Sequence, residues 1–215
     1  MYNRPPILLD LLHICELIAF IGGLYQYTKI KKTYWIFFAL YLMYITILEV
    51  FGAQIFSHFK LNTQIYLSYI TVPIEFLFFI WLFALKSLKS EKIYIICTLL
   101  YLLSFIPDFS VEKGKYFFNS FNYLIGGFIL LYLILLELNK QIKSEDILLF
   151  KQDKMFYITI GVALFYVGNL PFFGLYFLIM KEPSIWNSYY IYFMVSNCIM
   201  YLLFAASFIW GKPKS

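Results

Sequence analysis

Seven stretches of this chain are long and apolar enough to be read as crossings of a bilayer, each of which takes about 20 residues of helix. They fall at residues 7–28, 34–56, 64–86, 92–107, 117–138, 155–179 and 188–210. The fourth is short and ends at Pro107, so six spans with a re-entrant fourth segment is the alternative. Composition agrees with a lipid solvent. The chain is 62% hydrophobic and 13% charged, where soluble domains are about half apolar and about a quarter charged. Its 25 Phe and 20 Tyr would drive aggregation in water but suit a membrane and its interface. The expected fold is therefore all-α: a polytopic membrane helix bundle forming a single transmembrane domain over residues 1–215. No soluble domain or internal repeat is evident. The first run does not read as a cleavable signal peptide, because Asp10, His13 and Glu16 interrupt its apolar core and no small-x-small site follows.

Cytoplasmic loops are enriched in Lys and Arg, and that rule orients the chain. Lys29, Lys31 and Lys32 follow the first run; Lys86, Lys89 and Lys92 follow the third. Lys140, Lys143, Lys151 and Lys154 follow the fifth, and Lys212 and Lys214 follow the last. The opposite side carries Arg4, Lys60, Lys113, Lys115 and Lys181. The prediction is an outer N-terminus, a cytoplasmic C-terminus and an odd number of spans, which seven satisfies. Trp35, Trp81 and Trp210 then fall at the inner interface. The longest connection contains "KSEDILLFKQDK", in which 147–150 reads either as a short amphipathic turn on the inner surface or as a solvated loop. The lysines form no basic stretch with a stacking platform, so the net charge of +5 does not point to nucleic acid.

Against this background the polar residues within the spans carry the information. An ionisable group at membrane depth is costly and usually faces a bundle interior or a cavity. Glu16, Glu49 and Glu75 lie on the first three runs, all about 10–17 Å below the outer boundary at about 1.5 Å per residue. Asp10, His13 and Glu16 are spaced by three and share one helix arc. Asn119, Asn122, Asn169 and Asn197 fall in outer halves, with Gln54 and Asp108 near outer ends. The following inner stretch "LIGGFILLYLILL" has no ionisable group. The pattern predicts a polar pocket in the outer half, closed below by hydrocarbon. Pro73 and Pro171 lie near the same depth and cannot donate to the carbonyls of Tyr69 and Val167; "GNLPFFG" loosens the sixth run further. The competing reading for each residue is interhelical glue, worth about 0.6–2 kcal/mol per hydrogen bond. Cys15, Cys97 and Cys198 form no CxxC pair and read as packing, as do Gly22, Gly23, Gly126, Gly127 and Gly161.

The last run has no lysine to hold retinal, and "LFALKSLK" lacks the acidic-arginine motif of G-protein-coupled receptors, so only topology is shared with those seven-helix families. Zinc-dependent intramembrane hydrolases use several histidines; here His13 with Glu16 supplies part of such a set, and His58 is expected in a loop. Neither a metal site nor a cofactor is expected. Through "ELIAFIGGLYQY" (16–27), "VPIEFLFF" (72–79), "ILLFKQDKMF" (147–156) and "LPFFG" (170–174), the chain resembles small uncharacterised seven-helix bacterial membrane proteins that accompany histidine kinases, and sensor modules fused to such kinases. The resemblance implies a bacterial inner-membrane protein that signals through a cytoplasmic partner. The expected function is a sensor or regulatory subunit whose outer pocket binds a small molecule, a lipid headgroup or protons, with oligomerisation open. Transport, an intramembrane lipid-modifying activity and a role in a defence or secretion complex are the alternatives; an enzyme would lack an evident nucleophile.

Overall fold

The computed structural model describes residues 6–58, 67–106, 120–143, 152–175, 179 and 181–212. Apart from one isolated bridge between Asp153 and Lys212, regular structure among them is helical: α1 (Pro6–Tyr25), α2 (Trp35–His58), α3 (67–87), α4 (Glu91–Leu103), α5 (Ser120–Lys143), α6 (154–174) and α7 (Pro183–Trp210). A single turn, Tyr27–Ile30, joins α1 to α2. Each helix coincides with one apolar run. Several ends differ from expectation by a few residues; α5, for one, runs on to Lys143. α2 continues to His58, which therefore ends a helix rather than lying in a loop. α7 starts at Pro183, where a fixed φ and a missing N–H suit the first helical turn.

Among the described residues, α1, α3, α5, α6 and α7 are long and apolar enough to cross a membrane. α2 offers the apolar stretch Trp35–Glu49, while the 13 residues of α4 reach about 20 Å. The molecule is a multi-pass membrane protein by this composition. Its surface agrees: Ile14, Ile18 and Ile21 of α1, and Ile95, Ile96 and Leu99 of α4, are uncovered by protein. An apolar exterior of that kind is stable against lipid tails rather than water.

Both proline expectations have a structural counterpart. A wide π-turn spans Leu67–Thr71 just before Pro73, and another spans Ala163–Val167 before Pro171. A proline ring clashes with the carbonyl four residues earlier, and a widened turn moves that carbonyl aside. α3 widens again at Trp81–Ser87. It then reverses through Lys89, whose φ is 53°, and Ser90 caps α4 by accepting from the Ile93 amide at 3.4 Å.

α1 packs chiefly on α7 and α2, α7 also on α6, and α5 on α3, α4 and α6. The interior is a continuous aromatic mass. Phe38 contacts Phe78, Phe204 and Phe208, while Phe76 contacts Tyr101, Tyr123 and Tyr166. Gly126 makes room for the Phe76 ring; a methyl group there would lie 2.7 Å from it. That assigns Gly126 to packing, as its sequence context suggested.

Candidate functional site: a buried acidic cluster

His13 and Glu16 are one turn apart on α1. The same face carries Leu12, Cys15 and Ala19, all buried, so packing on α2 and α7 carries Glu16 inward. Glu16 is fully buried, and its carboxylate oxygens meet no N–H or hydroxyl, only the Glu49 carboxyl within hydrogen-bonding reach. The group it faces is the Glu49 carboxyl of α2. His13, Glu16 and Glu49 each present one ligand atom, and these lie within 4.8 Å of one another. His13 and Glu49 are half-buried. Two carboxylates in contact away from water require a positive charge nearby, because each alone already bears a desolvation cost of several kcal/mol. A proton, the His13 imidazolium or a bound cation meets that requirement.

Glu75 on α3 lies close enough to Glu49 and Glu16 to interact with them electrostatically. Its own oxygens are engaged: Tyr41 donates to Oε1 at 3.4 Å and Tyr166 to Oε2 at 3.2 Å. Aromatic packing aims both phenols. Tyr41 stacks on Phe78 with centroids 4.2 Å apart and planes 3° apart, and Tyr166 meets Phe79 edge-on at 5.6 Å. Tyr201 of α7 lies in the field of all three acids, and Cys15 and Cys198 face each other beside Glu16. On the lipid side of Tyr41, an apolar cavity of about 470 Å³ lies between α2 and α3, lined by Phe37, Leu40, Tyr44, Ile74, Phe78 and Trp81. It is separate from the acids, although Tyr41 forms part of its wall.

The remaining sequence candidates divide. Asp10 is exposed, one turn N-terminal of His13, and stands apart from the cluster. Asn122 clamps α4 to α5: its Oδ1 accepts from the Tyr101 hydroxyl and its Nδ2 donates to Ser104 Oγ, each at 2.7 Å. Asn169 repairs the break in α6. Its Nδ2 donates to the Phe165 carbonyl at 2.6 Å and to Ser196 Oγ at 3.0 Å, which also ties α6 to α7. Both amides bond across helices, and Asn169 keeps its buried Oδ1 without a partner. Asn197 is buried on α7 beside Cys198, with its Oδ1 unpartnered. The Asn119 and Asp108 positions, the Gln54 side chain and the 147–150 turn lie outside the described residues.

A second buried polar cluster sits at the C-terminal end of α3 and was not singled out from sequence. Glu137 of α5 is buried; its Oε2 accepts from Ser87 Oγ at 2.7 Å and its Oε1 from Gln141 Nε2 at 3.0 Å. Lys140 bridges it at 3.4 Å and donates to the Ser87 carbonyl at 2.9 Å. Nearby, buried Lys154 donates to the Ser207 carbonyl at 3.0 Å and lies over the Phe208 ring at 4.8 Å. The available signal was the spacing of Glu137, Lys140 and Gln141, which puts all three on one helix face.

No known protein family matches this chain, and neither a curated protein nor a solved structure matches it.

Proposed function

We propose that this chain is a seven-span membrane sensor or regulatory subunit, with its N-terminus outside and its C-terminus in the cytoplasm of a bacterial cell, whose acidic cluster takes up a cation. The observation that carries the reading is Glu16: fully buried, with both oxygens meeting no N–H or hydroxyl, and facing a second carboxyl. A cation entering there meets an existing need for positive charge. Glu75 couples the cluster to α3, which bends through two π-turns and ends next to the basic inner connections. The ligand shifts a conformational equilibrium only by binding its two states unequally, and the widened α3 is the element proposed to shift. A cytoplasmic partner, such as a histidine kinase, would read the shift at the inner connections.

The single chain offers little to a transport reading. From Glu75 to Ser87, α3 runs about 18 Å at about 1.5 Å per residue. Phe76, Phe79, Ile80, Leu82 and Phe83 fill that length, all fully buried. A hydrated path through this layer would have to displace packed rings.

The test is hydrogen exchange of residues 67–87 in nanodisc-embedded protein across a series of sodium, magnesium, manganese, cobalt and choline-headed lipid. One member of the series should change exchange over this segment in the wild type and leave Glu16→Gln and Glu49→Gln unchanged. If no member does so, or both variants respond as the wild type does, the reading fails. Membrane-impermeant thiol labelling of single cysteines placed at Lys89 and Lys181 tests orientation; the Lys181 position should label from outside and the Lys89 position should not.

A further inference from the structure

Three ligand atoms from three side chains converge on one point: an imidazole nitrogen of His13 and a carboxylate oxygen from each of Glu16 and Glu49, all within 4.8 Å. Ligands at about 2.0–2.2 Å around a tetrahedral ion stand roughly 3.3–3.5 Å apart. The cluster therefore lies within about an ångström of that arrangement, a change that side-chain rotation supplies. His13 and Glu16, three residues apart, project from one helix face, and Glu49 closes the site from α2.

We propose that His13, Glu16 and Glu49 form a binding site for a divalent transition-metal ion of the zinc and cobalt class. The inference rests on the cation-binding reading above and specifies its ligand. Charge supports a dication, since two carboxylates balance it where an ammonium headgroup would leave one in excess. Donor type supports the metal class. Magnesium and calcium favour sets made of oxygen alone, whereas imidazole with carboxylate suits zinc and its neighbours. The buried oxygens of Glu16, which meet no N–H or hydroxyl, point to a ligand independently of the clustering itself. Three protein ligands leave a fourth position open. Glu75 lies outside this three-ligand group; its two oxygens accept from Tyr41 and Tyr166, and it adds negative field.

Cobalt is the probe, because its visible absorption reports coordination directly. Purified full-length protein, stripped with chelator, is titrated with Co²⁺ and its metal content measured after dialysis. One Co²⁺ per chain is expected, with the intense visible bands of a low-coordinate nitrogen–oxygen site. Affinity should fall at least 100-fold in His13→Ala, Glu16→Gln and Glu49→Gln, and stay within two-fold of wild type in His58→Ala and Glu137→Gln. Should Glu16→Gln not fold, half-buried His13 decides the matter. Absence of stoichiometric Co²⁺, or wild-type affinity in His13→Ala, overturns the site. If choline-headed lipid rather than Co²⁺ changes exchange of residues 67–87 in a Glu16-dependent way, the metal inference falls and the sensor reading stands. If Co²⁺ binds through these three ligands and neither it nor any other member of the series alters that segment, the site stands and the sensor reading falls.

Discussion

Two buried carboxylate clusters lie at different levels of the bundle, one at Ser87 at the end of α3 and the other beside Glu75 near its middle, and they are built on opposite terms. At the end, Glu137 accepts from Ser87 and Gln141 and is bridged by Lys140. Near the middle, Glu16 accepts from no N–H or hydroxyl and faces Glu49, with a half-buried histidine beside them. The first is a finished structural joint between α3 and α5. The second sets two carboxyl groups against each other, a pair that needs a proton, the His13 imidazolium or a bound cation beside it. Buried ionisable groups lacking partners are a liability to the fold, so retaining two in contact points to a role beyond packing.

The largest expected effect comes from breaking the finished joint. Glu137→Ala removes the acceptor of the Ser87 hydroxyl and the carboxylate partner of Lys140, leaving Lys140 its bonds to Ser87. Breaking a fully buried pair costs about 3–5 kcal/mol; with Lys140 half exposed, solvent screening reduces this to about 1–3 kcal/mol. Denaturation in mixed micelles should show a lower midpoint. Glu16→Gln should act in the other direction. In chelator it replaces a carboxyl that meets no N–H with a group that brings its own N–H to Glu49, a gain of about 1–2 kcal/mol. A loss equal to that of Glu137→Ala would mean that both clusters are equally satisfied and would erase the contrast. Tyr166→Phe should have the smallest effect. It deletes one 3.2 Å hydrogen bond to Glu75, for about 0.5–1.5 kcal/mol, and should leave Co²⁺ affinity within about ten-fold by the same magnitude.

Much of this frame was legible in the chain. The seven apolar runs anticipate the seven helices, and Pro73 and Pro171 mark where α3 and α6 widen. The convergence of Glu16 and Glu49 was approached through depth along each run, since residues at one level of adjacent spans have a chance to meet. Depth does not specify rotation about a helix axis. That is why Asp10, three residues before His13, is exposed, and why Asn122 and Asn169 turn to local partners instead of the acids. The third metal ligand was hidden for the same reason: His13 with Glu16 is visible as a spacing, but Glu49 joins them only through the α1–α2 packing. Glu137 and Lys154 were passed over because charges at the end of an apolar run ordinarily meet headgroups and water. Here the helix ends pack on one another and enclose them.

The most direct test of the contrast is cation-dependent stability. Micelle denaturation of the wild type, Glu49→Gln and Glu137→Gln would be followed with and without Co²⁺. At a hundred-fold excess over its dissociation constant, a ligand binding only the folded state adds about 2.7 kcal/mol. The account predicts a gain of that order in the wild type and in Glu137→Gln, and none in Glu49→Gln. A wild type indifferent to Co²⁺ and to the other cations of the series, or a Glu49→Gln protein stabilised as much as the wild type, would contradict it.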